Sequence, residues 1–498
     1  DPATHTVTVS PWVATEYGND GPEAGEDYYY LSNKIVLMDH PGEWCCKSLG
    51  GGQYRLYVWP HDSGSPSGHM FEAGKNILPL LNWAGRSGIV YDGFEVRHCN
   101  GHNAVGSTGS ASDVVVSNCI IHDNNHFGVL FTTVNGGTLR NSLVIDNGYG
   151  VVINVYCHGI DIYENEIARN VEEDGVSIIH GNSDIYVARN YIHHHCFWGH
   201  PDSFQVYSQQ ALYGDCDGIT LDSNVMMYGF QAGLIQYTTN ILATNNVCVG
   251  SVQGLFQLGL GAHDTMIDHN VFALSGISPF SLDPSQPNHS LTNNIYYDGN
   301  HGPFYHASST QGYASDHNIF CHASGLPAEQ IIIWNGVNSQ FAAYVAASGQ
   351  DTHSYYADPL FVNAPVFITP TSLIAVPHYT TAKLYLAANA SHYLVGDHIE
   401  VAFDGVMRTI SATGTDAHGD YIEFAPAMNE PLFRIGGVAN WKTKADCQLD
   451  FSVLAGSPAA GNGSGGSNIG SSINVQQYQQ GDFTGDNVRD IPAWPPQN

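Results

Sequence analysis

Three stretches, LATNNVCV (242–249), MIDHNVFA (266–273) and SLTNNIYY (290–297), repeat one phrase: alternating residues, an Asn, then an apolar run. Their asparagines, Asn246, Asn270 and Asn294, stand 24 residues apart. Working outward, the phrase recurs around Asn118, Asn141, Asn165, Asn190, Asn224 and Asn318. The intervals along the whole series are 23, 24, 25, 34, 22, 24, 24 and 24 residues. A period in the low twenties carries three short strands and their turns, which is one coil of a solenoid. Each strand is too short to stand alone and buries its apolar face against neighbouring coils. Asn suits such a turn twice over: it tolerates the left-handed conformation, and its amide can bond to backbone and to the next Asn in the stack. The expected fold is all-β, a right-handed parallel β-helix.

The segment after each Asn also repeats. CIIHDNNHFGVLF (119–131), SLVIDNGYGVVI (142–153), EIARNVEEDGVSI (166–178) and YIHHHCFWGHPDSFQVY (191–207) each read strand, loop, strand. The loop lengthens toward the last, and the 34-residue interval adds an insertion around Gln209–Asp217. Loops protruding from one edge of a solenoid commonly build its binding face. Elaboration peaks over residues 169–217.

Aligned coils place Asp123 with Asp146, and Asp174 with Asp202. Stacked coils lie roughly 4.8 Å apart, close to the roughly 5–5.5 Å between the carboxyl groups of a retaining glycosidase. Crowding like charges raises one pKa, giving an acid and a base in one cleft. A turn cap or a calcium ligand is the alternative for either pair. Asp174 and Asp202, with Glu173 and His200, are the candidate catalytic set. Trp198, Tyr207, Gln205, Arg169, His180 and His195 are candidate substrate contacts, with Glu172 nearby. His193, His194, His195 and His200, with His122 and His126 earlier, invite a metal reading, but neighbours on a strand point to opposite faces. DFTGDNVRD (482–490) superficially matches a calcium loop, with Asp482, Asp486 and Asp490 as ligands; it lacks the glycine and terminal Glu of the full pattern. No cofactor is required, and calcium is possible.

The chain has 15 Lys and Arg against 46 Asp and Glu, a formal charge of −31. Such a surface is expected to repel nucleic acid and anionic lipid. No apolar run of about 18 residues predicts a membrane span. The chain opens at Asp1 without a charged and then apolar leader, so a signal peptide is expected to be absent or already removed. No Lys occurs from residue 76 through 382, and no Arg between Arg189 and Arg408. A lyase acting on a uronate would have to use His or Tyr as base, or calcium as neutraliser. Acidic loops rich in Tyr, with Phe197 and Trp198, suit a neutral glycan that stacks on rings. Most of the ten Cys fall in the repeats as small core hydrophobes; Cys196–Cys216 is the disulfide pairing to expect, if one forms. The sequons at Asn288, Asn389 and Asn462 matter only in a glycosylating source.

Two ends frame the coils. PGEWCCKSLGGGQYRLYVWPHDSGSPSGHMFEAG (41–74) leads into GIVYDGFEVRHC (88–99), and ADPLFVN (357–363), LDFSVLAGSPAAGNG (449–463) and DFTGDNVRDIPAWP (482–495) close the chain. These phrases resemble those of bacterial pectate lyase-like β-helical carbohydrate-active proteins, in style most like β-helical glycoside hydrolases. The resemblance implies a secreted or cell-surface protein that meets a polysaccharide or oligosaccharide. It carries over no catalytic residues. Residues 364–445 differ, reading as alternating strands with Gly-Asp and Asp-Gly turns, so a small β-barrel or sandwich is expected there. The expected divisions are an N-terminal cap (1–75), coils (76–363), the inserted β domain (364–445), and a final coil with tail (446–498). A glycoside hydrolase of a neutral extracellular polysaccharide leads. A lyase or epimerase, and a non-catalytic glycan-binding, adhesive or filament-forming rod, are the alternatives. An uncapped coil end would invite oligomers or end-to-end stacking.

Overall fold

The computed structural model describes residues 44–50, 53–60, 63–65, 78–107, 109–195, 201–276, 278–282, 286–298, 304–310, 312–322, 331–432 and 436–493. The chain forms two compact units, 1–73 and 74–498. In the first, Trp44–Gly50 pairs antiparallel with Gln53–Val58.

The second unit is built on a three-sided parallel coil. The first sheet has ten strands, running from Val90–Asp92 to Ala314–Asp316. The second has eleven, from Glu95–Arg97 to Tyr355–Tyr356, and the third eight, from Asn103–Gly106 to Ser278–Leu282. One repeat supplies one strand to each. In-register stacking builds the core. On the first sheet Val116, Leu139, Ile162, Val187, Leu221, Ala243, Ile267 and Leu291 align inward. On the second, Ile121, Val144, Ile167 and Ile192 give way to Phe272, Tyr296 and Phe320. Rings at 5.1–5.4 Å then replace aliphatic packing in the later coils.

The turn between the first and second sheets carries the Asn ladder. The Asn246 carboxamide oxygen accepts from Asn224 N at 2.9 Å and Nδ2 at 3.0 Å. Its own Nδ2 donates to the Leu221 carbonyl and to Asn270 Oδ1, both at 3.0 Å. The ladder runs from Asn165 through Asn190, Asn224, Asn246, Asn270 and Asn294 to Asn318. Two expected members stand one residue out of register. Ser142 and Cys119 occupy the ladder position, while Asn118 and Asn141 sit just before it. That preceding position is the left-handed one, with φ of 52° at Asn118, 49° at Asn141 and 55° at Asn245. The two attractions of Asn are therefore divided between adjacent residues.

The second sheet is apolar on both faces. Its outward residues, among them Val225, Val247, Val271 and Ile295, pack against Phe361, Phe403, Trp441, Phe451, Tyr478 and Phe483 from the later part of the chain. Residues 367–442 contribute a six-stranded antiparallel sheet to this cover. A bridge between Thr371 and Leu386, with Ser372 N bonded to the Tyr385 carbonyl, joins the two edge strands into a small barrel. With the second sheet covered, the elaborated loops border the third.

Candidate functional site

The turn between the second and third sheets has its own ladder. Asn124 Nδ2 donates to Asn147 Oδ1 at 2.8 Å, and Asn147 Nδ2 to Asn170 Oδ1 at 3.3 Å. His195 occupies the next rung. Its Nε2 meets the Ile167 carbonyl at 3.1 Å, the counterpart of the Asn147 contact with Ile121. Burial pushes its pKa down to about 3, so it is a neutral framework group. His195 is therefore not a substrate contact.

Asp174 and Asp202 do stack at equivalent positions, just before Val176 and Phe204, which pair in the third sheet. Both face the coil rather than solvent, at 2% and 0% exposure. Asp174 Oδ1 accepts the Asp202 amide at 2.8 Å, and Asp202 Oδ1 accepts the Gln231 amide at 3.2 Å. Ser177 Oγ donates to Asp174 Oδ2 at 2.6 Å. Burial, then the charges of Asp202 and Glu173, push the Asp174 carboxyl well above the usual carboxylate range. The stacking expected from sequence is present, but these side chains bind their own backbone. Glu173 is half-buried at the rim, and Glu172 is exposed and pairs with His126 at 3.4 Å. Gln205 is half-buried, in register with Ser177 and Leu234.

The turn after the third sheet presents a different surface. Five rings from four successive coils adjoin there. Tyr156 and Tyr213 have centroids 5.8 Å apart, and Tyr213 stacks on His180 at 4.4 Å and 24°. His180 meets Tyr207 at 6.3 Å, and Tyr207 meets Tyr237 at 6.0 Å. Tyr156 is 53% exposed and the other four are half-buried. Sequence reading named Tyr207 and His180 but missed Tyr156, Tyr213 and Tyr237. Tyr213 reaches the row because the insertion forms a short helix, Gln210–Tyr213, with no buried residue. Gly181 makes the approach possible. Its φ is +68°, and a Cβ there would lie 2.5 Å from the Tyr213 carbonyl and 3.0 Å from the Tyr156 ring. Asp215, two residues beyond Tyr213, is half-buried, and its Oδ1 has no hydrogen-bond partner. That oxygen is itself buried, so it is the rings that can stack on a sugar face.

The remaining expected residues are dispersed. Arg169 closes a two-pronged pair with Asp146, at 2.9 and 2.8 Å, on the turn after the second sheet. It is thus engaged away from the rings. Arg189 is likewise held by Glu164 at 2.8 Å. The three adjacent histidines do not share one site: His193 and His194 meet through their Nδ1 atoms at 2.6 Å, with His193 Nε2 facing Glu166 at 3.4 Å and His194 Nε2 the Phe403 carbonyl at 3.3 Å, while His195 turns to the Ile167 carbonyl. Trp198, His200 and Phe197 lie outside the described residues. Cys216 is an unpaired thiol in the core, which corrects the expected disulfide; Cys196 lies outside the described residues. In the C-terminal loop Asp482 accepts the Gly485 and Asn487 amides, Asp490 those of Phe483 and Thr484, and Asp486 that of Val488. These carboxylates cap their own loop, as in a structural turn. Two cavities, of about 490 Å³ beside Arg408 in the barrel and about 360 Å³ beside Tyr91, lie away from the rings.

Residues 81–212 match a family model described as a right-handed beta helix region. The chain is a right-handed parallel β-helix. No curated protein matches it in sequence. Among solved structures it is similar to a tailspike protein variant of E. coli bacteriophage HK620 in complex with a hexasaccharide. Identity is 8%, with 72% of this chain and 69% of that chain covered and a TM-score of 0.33. It is also similar to the tailspike protein gp49 of Acinetobacter baumannii bacteriophage Fri1, described as a capsular polysaccharide depolymerase. Here identity is 11%, coverage 73% and 68%, and the TM-score 0.24. The tailspike gp49 of Pseudomonas phage LKA1 is similar at 9% identity, with 68% of each chain covered and a TM-score of 0.24. None of these likenesses transfers a residue's role to this chain. Among the described residues, no helix is long and apolar enough to cross a membrane.

Proposed function

We propose that this protein is a carbohydrate-active β-helix that holds a neutral extracellular polysaccharide along the ring row Tyr156–Tyr213–His180–Tyr207–Tyr237. The carrying observation is that row: five adjoining rings, none fully buried, on a turn the chain leaves uncovered by its barrel. Sugar rings present C–H faces that pack on aromatic planes, while hydroxyls take polar acceptors at the edge. The neutral character follows from the cations, since Arg169 and Arg189 are committed to Asp146 and Glu164. Among the described residues named at this turn, an anionic glycan would meet carboxylates and rings.

Hydrolysis has one observation in its favour. Burial and the charge of Asp202 push the Asp174 carboxyl well above the usual carboxylate range, and an acid next to a carboxylate is the pairing a glycosidase uses. Both groups are buried, so cleavage requires the turn to open onto them, and half-buried Glu173 is the carboxylate of the set nearest solvent. The test is a panel of neutral and uronate polysaccharides scored for both binding and new reducing ends. Binding of neutral glycans without cleavage supports the holding role alone. Cleavage abolished by Asp202→Asn or Glu173→Gln establishes the hydrolytic one. Preference for uronates over neutral chains sinks the proposal.

A further inference from the structure

We propose that Asp316, His317 and His353 form a site for a divalent transition metal of the zinc class at the far end of the Asn ladder. Their ligand atoms all lie within 4.8 Å of one another. His317 Nδ1 is 3.1 Å from the Asn462 carbonyl, which can only accept, so this nitrogen carries the proton. The lone pair is then on Nε2, which faces Asp316 Oδ2 at 4.0 Å. A backbone carbonyl that fixes the imidazole tautomer in this way is the usual outer support of a metal-binding His.

The carboxylate is oriented as well. Asp316 Oδ1 accepts the amides of His317 at 3.0 Å and His353 at 2.8 Å, which turns Oδ2 toward both imidazoles. His353 Nδ1 stands 2.6 Å from Oδ2, and the two rings stack at 5.1 Å and 11°. Around a tetrahedral ion with bonds of ~2.0–2.1 Å, ligand atoms lie ~3.3–3.4 Å apart. The 2.6 Å edge must widen and the 4.0 Å edge narrow, each by under about 1 Å. His353 is 66% exposed and free to make that move. Two imidazoles and one carboxylate favour zinc, cobalt or nickel over calcium, and leave a position for water.

The location gives the ion a task. Asn318 is the last Asn of the ladder; its amide donates to Ser354 Oγ at 2.7 Å and its Nδ2 to Asp351 Oδ1 at 3.0 Å. A metal on His317 and His353 would pin that closing segment to the final rung, beside Asn462 of the C-terminal region.

The test uses the full chain stripped of metal, titrated with Co²⁺ and then Zn²⁺ by calorimetry and visible absorption. Wild type should take up one Co²⁺ with ligand-field bands that Zn²⁺ abolishes, and Zn²⁺ should raise its melting temperature. His353→Ala and His317→Ala should weaken that uptake by at least about 10-fold, since even an outer support is worth that much. His158→Ala, which removes another exposed His–Asp pair, should bind like wild type. His353 is mostly exposed, so its variant decides the matter should His317→Ala fold poorly. Absence of saturable binding in wild type, or equal binding by His353→Ala and His158→Ala, overturns the proposal.

Discussion

Asp174 shows most directly what its surroundings do to a single group. Burial and the neighbouring acids keep its carboxyl protonated well above the usual range, whereas the unfolded chain ionises it near ~3.9. The folded form then binds more protons than the unfolded form, so this residue's contribution to stability falls as pH rises from about 4 toward neutrality. Asp174→Asn removes that slope. Denaturant midpoints measured from pH 4 to pH 7 should fall less in the variant than in wild type; parallel curves would contradict the assignment. The ladder allows a second comparison at this scale. Asn246→Ala strips bonds from buried groups that cost about 1–3 kcal/mol each when left unpaired, so a loss of at least about 2 kcal/mol is expected. Asn118→Gly, at a left-handed and exposed position, should cost under about 1 kcal/mol. The Asn period was readable because both positions favour the same residue type. For that same reason the one-residue offset at Asn118 and Asn141 was not.

At the scale of elements, stacking brings together residues that are far apart in the chain. The equivalence of Asp174 and Asp202 was legible, since each stands two residues before an apolar strand position. Their direction was not, because an Asp that opens a turn can face solvent or the neighbouring coil's amides, and only coil closure decides. His195 posed the same difficulty: a His within a histidine run gives no sign that it stands in for an Asn. The ring row was half legible. Tyr207 and His180 lie in the elaborated loops, but Tyr156 and Tyr237 come from ordinary coils and Tyr213 from an insertion whose helix could not be foreseen. Gly181 ties the row together. Gly181→Ala should force Tyr213 and Tyr156 apart, with Cβ meeting a carbonyl at 2.5 Å. Glycan affinity should drop while the coil's β-rich circular dichroism persists; unchanged affinity would detach Gly181 from the site.

Across the second unit, the chain covers one side of its coil with its own later residues. The apolar outer face of the second sheet explains why its strands read as continuous hydrophobic runs rather than alternating ones. Trp441 anchors this cover: it is fully buried, and its indole donates to Glu400 Oε2 at 3.1 Å, a carboxyl that burial pushes up to about 7. Trp441→Ala should cost about 3–5 kcal/mol and expose apolar surface, seen as dye binding and self-association; a variant as stable as wild type would mean the cover is dispensable. The barrel itself was foreseeable from its alternating strands, but not that it serves as a lid on the coil. The proposed glycan row, on the turn after the third sheet, lies outside this cover, and this sets the most direct measurement. A neutral oligosaccharide titrated into wild type and Tyr213→Ala, followed by calorimetry, should bind wild type saturably and the variant at least about 10-fold more weakly, or about 1.4 kcal/mol. Equal affinities, or no binding of any neutral glycan to wild type, would contradict the account.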